Sequence, residues 1–487
     1  MSLAAKSLSA VKSNYVGTIV RVGAQFVAQI LIMRELGPEL VGTFGYVLLL
    51  YGVLALIIDQ GFGWSLIQSD LHNDEQTAVV FSRIMLASLL GMIFVFAISF
   101  PIAALLNNEL VGEVFRYSAP SCLVIGLFIV PQARLRAELR FKEIQIATSG
   151  AYVIAYPIIG VAMAWSGFGV WALLAAWYAQ GVVQVGIAYR YRPHSLKLVN
   201  PLRPTSSGAL GRHVAGINIL NWAVDGTAGV FAGSLSAAAL GNFNAAMMLA
   251  RTPALQLVQT LQTILFSTAS ALGDDQLKLK RLYLSALATI AFVVIPAYCY
   301  ACTHADLIIN LLFGDKWQNA AGIFSALSIG MIALAISTLS SAILTATGGQ
   351  KVVLYSQIAC FAVMLIGVSQ AAKISFVFVG LVVSVAYWLR LLMQLKAVAV
   401  KGGITASDFI VVLRGPSVVA LLMAIPASLF VAEKSGVLQI EALVLLFKCI
   451  ALLLLFKLFP RFFFCHALVD VLSKFGIGRR LVLALGD

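Results

Sequence analysis

The sequence predicts an all-α, polytopic membrane protein of about fourteen transmembrane helices, arranged as two parallel six-helix lobes plus two C-terminal helices. Three observations lead there. Of 487 residues, 61% are hydrophobic and only 11% are charged, against about a quarter charged in an average soluble domain, so most of the chain has lipid as its solvent. Apolar runs recur along the whole chain, many reaching the roughly twenty residues needed to cross a hydrocarbon core. The Lys and Arg residues collect in alternate breaks between these runs. Tandem spans of this length satisfy their own backbone hydrogen bonds as helices, whereas a barrel would show short alternating segments.

Residues 1–13 carry Lys6 and Lys12 but no short apolar region ending in a small-residue cleavage site, so the first span doubles as the insertion signal. That span, 14–34, contains Arg21, Gln25 and Gln29. The second, 42–67, has Asp59 toward its end, and the third, 78–106, is long and apolar. The fourth, 113–133, runs into Arg134, Arg136, Arg140 and Lys142. The fifth and sixth, 144–165 and 168–189, lead to Arg190, Arg192, Lys197, Arg203 and Arg212. The seventh, 212–234, holds Asn218, Asn221 and Asp225; the eighth, 239–271, holds Arg251. The ninth, 282–304, follows Lys278, Lys280 and Arg281, and the rest fall at 318–346, 352–371, 374–395, 409–431 and 440–459.

With the N-terminus inside, the breaks before odd-numbered spans are cytoplasmic. Of the 33 Lys and Arg, 24 then lie at inside ends, five (Arg34, Arg116, Lys316, Lys373, Lys434) outside and four (Arg21, Arg251, Arg414, Lys448) within spans. This asymmetry places both termini in the cytoplasm and the chain in a bacterial inner membrane. The net charge of +13 is therefore orientation information, and no nucleic-acid partner is implied. Outside loops are all short, so the working part lies within the bundle. The six cysteines are scattered rather than laid out as a disulfide framework, and Cys299, Cys302 and His304 read as small side chains near a helix end, with no second ligand cluster to make a metal site.

Aligned on itself at an offset of 199, the chain brings Leu36, Gly42, Phe44, Leu50, Ala55, Leu56, Gln60 and Leu66 onto Leu235, Gly241, Phe243, Leu249, Ala254, Leu255, Gln259 and Leu265. The offset equals six helices. Six is even, so both copies run the same way through the membrane, giving lobes at 1–200 and 201–400 and an appendix at 401–487 with two more helices and a cytoplasmic tail. Parallel lobes flanking a substrate path are a recurrent transporter design.

The stretch Arg34-Glu35-Leu36-Gly37-Pro38-Glu39-Leu40-Val41-Gly42-Thr43-Phe44-Gly45-Tyr46, followed by Asp59-Gln60-Gly61-Phe62-Gly63, resembles the first two helices of polysaccharide-type lipid-linked oligosaccharide flippases. Arg134-Leu135-Arg136-Ala137-Glu138-Leu139-Arg140-Phe141, and Ala239-Leu240-Gly241-Asn242-Phe243-Asn244-Ala245-Ala246 running into Arg251, are similar too. The resemblance covers about the first 270 residues; the rest follows by hydropathy. It implies a member of the multidrug, oligosaccharidyl-lipid and polysaccharide exporter superfamily, working by alternating access and carrying an undecaprenyl-diphosphate-linked oligosaccharide for surface polysaccharide assembly. Helix 7 departs from the pattern: Asn221-Trp222-Ala223-Val224-Asp225-Gly226-Thr227 lacks the basic residue that relatives often place beside the acid.

Such a cargo needs a wet, cationic path. Arginine donates two parallel bonds to phosphate oxygens and keeps its charge when desolvated. Arg251, about twelve residues into its span, costs roughly 2.5 to 3.5 kcal/mol in hydrocarbon and is expected to face an interior cavity, as a substrate contact or as half of a structural ion pair. Arg21 has the same two roles open, or snorkels to the interface. Asp225 reads as a coupling-ion or proton site, or as partner of Arg251 or Arg21; Asp59 reads as a coupling or ion-pair candidate or as a loop-ordering residue. Gln25, Gln29, Asn218 and Asn221 line a sugar path or join helices. Arg414 and Lys448 read as structural.

No GxxxxGK[ST] loop appears, so ATP hydrolysis is not expected; no cofactor is implied beyond a coupling ion, H+ or Na+. The expected partners are the lipid-linked oligosaccharide, membrane lipids, a polysaccharide polymerase and a chain-length regulator. Two other functions compete. A cation-coupled multidrug exporter would favour carboxylates over Arg251. A membrane polymerase or ligase acting on lipid-linked sugars would be expected to carry Arg and His on a large outside loop, which this sequence lacks.

Overall fold

A computed structural model describes residues 23–59, 74–138, 140–203, 208–272, 275–371, 374–425, 437–463 and 468–469. Among the described residues there is no strand. The described parts of the predicted spans fall largely on helices, residues 14–22 of the first and 60–67 of the second lie outside the described ones, and ten of the described helices are long and apolar enough to cross a bilayer by length and composition. The chain divides into two compact units, residues 1–241 and 242–487.

In the first unit, α1 (23–36) ends at Gly37, whose φ of +80° only glycine adopts cheaply. Pro38 then opens α2 (Pro38–Asp59), where a missing N–H costs nothing. α3 (Asp74–Leu106) turns at Asn107, and Asn108 caps α4 (Glu109–Ser118) by accepting from the Val111 N–H. The fourth predicted span runs within one stretch, Glu109–Ala137, in which Ala119 and Pro120, both in the right-handed helical region, join α4 to α5 (Ser121–Ala137). Pro120 has no N–H to continue the ladder, although hydropathy is unbroken there. α6 (Phe141–Trp165) contains two π turns, Ile146–Gly150 and Ala155–Gly160, the second around Pro157. Between them Tyr152 stacks on Tyr156 and donates to Gln29 Oε1 of α1 at 2.8 Å. α7 (Val170–Tyr191) follows Gly169.

The segment 192–203 is strapped across the ends of α3 and α5. Arg134, 5% exposed, bonds Asp74, Thr77 and the Pro193 carbonyl. Arg83 donates to the Pro201 and Arg203 carbonyls, and Arg203 pairs with Glu75 at 2.7 Å. Arg192 and Arg140 pair with Glu138, and Arg140 also with Glu143. Much of the basic cluster after helix 4 is thus engaged within the protein.

α8 (Gly208–Leu235) leads into α9 (Ala237–Leu272). The starts of α2 and α9 cross at two glycines. A Cβ on Gly42 would lie 1.6 Å from the Ala237 carbonyl oxygen, and a Cβ on Gly241 1.8 Å from that of Pro38. Pro38 and Ala237, and Gly42 and Gly241, are pairs at the offset of 199, so each glycine meets the carbonyl that corresponds to the one its partner meets.

In the second unit, α10 (Gln276–Thr303), α11 (Ala305–Phe313), α13 (Gln350–Ala371) and α14 (Phe376–Gly402) pack around a nearly fully buried α12 (Gln318–Ala346), while α15 (Ala406–Ala424) packs on α10 and α16 (Val437–Leu458) on α15. Small residues seal α12 to α14: a Cβ on Gly330 would meet Ser384 Oγ at 2.5 Å, and one on Gly380 the Ala326 Cβ at 2.9 Å, while Ser384 donates to the Ala326 carbonyl at 2.6 Å. Gln394, wholly buried, donates to Ser356 Oγ at 2.9 Å and accepts from Ser341 Oγ at 3.1 Å. The twelfth predicted span ends too early at 395; α14 continues to Gly402, so Arg390, counted at an inside end, lies about three turns within the helix. Of the predicted 409–431 span, residues past 425 lie outside the described ones.

Candidate functional site

Three helices of the first unit, α2, α5 and α7, enclose a cavity of about 480 Å³. α5 and α7 touch where Gly181 admits Val124, whose Cγ1 would be 2.8 Å from an added Cβ. Around this contact the wall is mixed: Leu56, Val124, Ile125, Phe128 and Ile129 make most of it apolar, and polar side chains are set among them. Gln132 and Arg136 are four residues apart on α5, Gln180 and Gln184 four apart on α7, and such pairs share one helix face. Asp59, the last residue of α2, also lines the cavity, so the two charged groups come from the C-terminal ends of α2 and α5.

The aromatic wall is held in place. Trp177 meets Tyr51 edge to face, with centroids 4.8 Å apart, and Phe44 at 6.0 Å. Tyr51 donates to the Ser118 carbonyl at 2.6 Å, Ser121 donates to the same carbonyl at 2.7 Å, and Tyr178 donates to the Tyr117 carbonyl at 2.7 Å. These bonds occupy carbonyls freed at the α4–α5 junction, which explains why that junction is polar yet closed. Gln132, Gln180 and Gln184, by contrast, make no hydrogen bond to another described residue. An amide carries one acceptor and two donor hydrogens, and leaving it unmatched in an apolar medium costs roughly 2 to 7 kcal/mol. The arrangement suits water or a hydroxyl-rich ligand.

Of the six candidates read from sequence, Asp59 lies in this cavity. Arg21 is outside the described residues. Gln25 is half-buried on α1, and Asn221 and Asp225, one turn apart on α8, are exposed; none of the three lines the cavity. Arg251 belongs to the second unit, half-buried on α9, two residues before Pro253 and beside Ala250, whose carbonyl accepts from Tyr298 at 2.5 Å. The bases read as structural are placed accordingly. Lys448, 8% exposed, donates to the Met423 and Ile425 carbonyls at the end of α15 and lies over the Tyr300 ring, a cation where the helix dipole favours one. Arg414 sits 5.2 Å from the Phe462 ring. His304 ends α10, stacked on Tyr300, and Cys302 contacts Ser325.

Comparison with known proteins adds the following. A family model described as polysaccharide biosynthesis protein matches residues 31–322, more than half of the chain. The lipopolysaccharide biosynthesis protein WzxC of Escherichia coli (strain K12) is 23% identical over 337 residues, 68% of each chain. The succinoglycan biosynthesis transport protein ExoT of Rhizobium meliloti (strain 1021) is 24% identical over 316 residues, covering 63% of this chain and 62% of ExoT, less than two thirds of that protein. Among solved structures, the lipid II flippase MurJ superposes with a TM-score of 0.70 at 14% identity, over 88% of this chain and 98% of MurJ. A multidrug resistance MATE family transporter of the MOP superfamily gives 0.57 at 17% identity, over 80% of this chain and 99% of its own. The fold is the one these transporters share.

Proposed function

The chain belongs to the polysaccharide biosynthesis protein family, and on that premise we propose that it translocates an undecaprenyl-diphosphate-linked oligosaccharide across the bacterial inner membrane by alternating access, for surface polysaccharide assembly. The observation that carries this reading is the cavity between α2, α5 and α7, where three glutamines, Arg136 and Asp59 are set in an otherwise apolar wall. The names of WzxC and ExoT support the biosynthetic context, and the MurJ-like fold supports a transporter rather than a membrane polymerase.

In this reading the halves at 1–200 and 201–400 move as the repeat implies, with 401–487 appended, and both termini are cytoplasmic. Arg251 and Arg21 attract the diphosphate, Gln25 and Asn221 border the sugar path, and Asp225 and Asp59 serve as coupling or ion-pair groups. The protein performs no bond chemistry itself; H+, Na+ or the membrane potential, which supplies about 2.3 kcal/mol per charge per 100 mV, drives it. A polymerase and a chain-length regulator take over the product.

The test is flipping of a labelled undecaprenyl-diphosphate oligosaccharide in proteoliposomes holding wild type or Arg251→Ala at equal insertion. Wild-type flipping that the variant loses supports the reading with Arg251 on the diphosphate path. Flipping unchanged in the variant removes Arg251 from it. Absence of wild-type flipping with the native sugar refutes the function and favours the drug exporter.

A further inference from the structure

We infer that the cavity between α2, α5 and α7 is a sugar-selectivity subsite, which takes an uncharged, hydroxyl-rich pyranose segment of the cargo through Gln132, Gln180, Gln184 and Trp177. This rests on the flippase reading for its cargo and goes beyond it in naming where the glycan is recognised.

The chemistry of the wall selects among ligand classes. A diphosphate calls for several guanidinium groups, and among the described residues this wall has one, Arg136, at the end shared with Asp59. An organic cation calls for carboxylates or open aromatic faces, and the wall's acid is Asp59, again at that end. The remaining polar lining is chiefly three neutral amides without partners among the described residues, set in an otherwise apolar wall. Vicinal hydroxyls both donate and accept, and so match an amide's acceptor and two donors without bringing a charge into the membrane. Trp177, fixed edge-on by Tyr51 and Phe44, offers a rigid apolar surface for the C–H groups of a pyranose ring. The volume of about 480 Å³ lies in the range of small-ligand sites, roughly 300 to 1,000 Å³.

A second observation separates the cavity from the repeated scaffold. α5 and α7 belong to the fourth and sixth spans; six spans on, the corresponding helices are α12 and α14. There the contact is sealed by Gly330 against Ser384 and Gly380 against Ala326, with the Ser384 hydroxyl consumed by a backbone carbonyl. The same pair of helices is sealed by small residues in the second unit, and in the first it meets at Gly181 with glutamines beside the contact.

Two measurements on the full-length protein test the inference. The first is binding in detergent, read by tryptophan fluorescence, of neutral trisaccharides built of glucose, galactose or mannose, with a galacturonic acid trisaccharide beside them. The expected result is a saturable change with at least one neutral sugar that vanishes in Trp177→Phe, weakens about tenfold in Gln180→Leu/Gln184→Leu, as loss of a built hydrogen-bonding site predicts, and is weaker still with the uronate. No saturable change with any neutral sugar, or equal binding by the leucine variant at unchanged melting temperature, overturns the subsite. The second is flipping of undecaprenyl diphosphate carrying a neutral disaccharide, compared with undecaprenyl diphosphate alone. If the leucine variant slows only the glycosylated lipid, the subsite stands; if both slow together, or neither does, it falls. Wild type that binds sugar but flips neither lipid refutes the flippase reading and leaves the subsite.

Discussion

Gly42→Ala adds one methyl group where α2 crosses α9. The new carbon would lie 1.6 Å from the Ala237 carbonyl oxygen, and an ordinary contact is 3.4 Å or more, so the backbones must part by about 1.8 Å. Nothing at the end of a flexible side chain can give way, because the obstacle is backbone. Overpacking a tight interior costs about 1 to 3 kcal/mol, and a backbone obstacle puts this change at the upper end. Gly241→Ala meets the Pro38 carbonyl at 1.8 Å and should cost the same. Both act on one crossing, so the double variant should be little worse than either single; once the helices have parted, the second methyl finds room.

Thermal unfolding of the purified protein in detergent reads this out. Gly186→Ala is the control, since a Cβ there meets nothing within 4 Å, and helix propensity alone favours alanine by up to about 1 kcal/mol. Gly42→Ala and Gly241→Ala should each melt several degrees below the control. A Gly42→Ala protein that melts with the control refutes the close crossing, and strictly additive losses in the double variant refute the shared contact.

The strap over α3 and α5 should depend on pH. Burial pushes the His194 imidazole below its ordinary 6.5, assisted by the Arg134 charge and opposed by its bond to the Ser195 carbonyl and by Asp74. The fold therefore favours neutral His194, a stabilisation present above about pH 6.5 and lost as pH falls through the lower folded value. Hydrogen exchange over 192–203, corrected for the chemical rate, should show faster opening on acidification, and His194→Phe should flatten that dependence. Within the second unit, Gln394→Leu removes bonds to Ser341 and Ser356 and should lower stability by about 1 kcal/mol, the scale of interhelical side-chain bonds in membranes; an unchanged melting temperature would show that the two serines are satisfied by their own helices.

Much of the fold was legible because its causes are one-dimensional. Hydropathy sets where lipid can be crossed, and Gly42 and Gly241, paired at the repeat offset, are the two glycines at which α2 and α9 cross. What hydropathy missed depended on single backbone groups. Pro120 interrupts a ladder without making the segment less apolar, and α14 runs past residue 395 because Lys396 and Lys401 are compatible with helix. Lys401 in fact ends its side chain on the Thr347 carbonyl, at the last turn of α12. The cavity was less legible. Charges in spans, such as Arg21, Arg251 and Asp225, stand out in a sequence because each costs several kcal/mol; an amide costs less and serves equally well in a helix-to-helix contact. A usable signal existed in the i, i+4 pairs Gln132 with Arg136 and Gln180 with Gln184. It became a site only when three helices placed both pairs on one wall with Asp59.

Small residues stand where the fourth and sixth spans meet and where the tenth and twelfth meet: Gly181 in the first unit, Gly330 and Gly380 in the second. The second unit closes that contact with a serine whose hydroxyl is already spent on a carbonyl, and keeps its glutamine, Gln394, fully buried and bonded on both sides. The first unit places its glutamines beside the contact with bonding capacity left over. In hydrocarbon, unspent capacity is an energetic cost that only water or a polar ligand offsets. The copy that retains this cost is the one whose wall has something to bind.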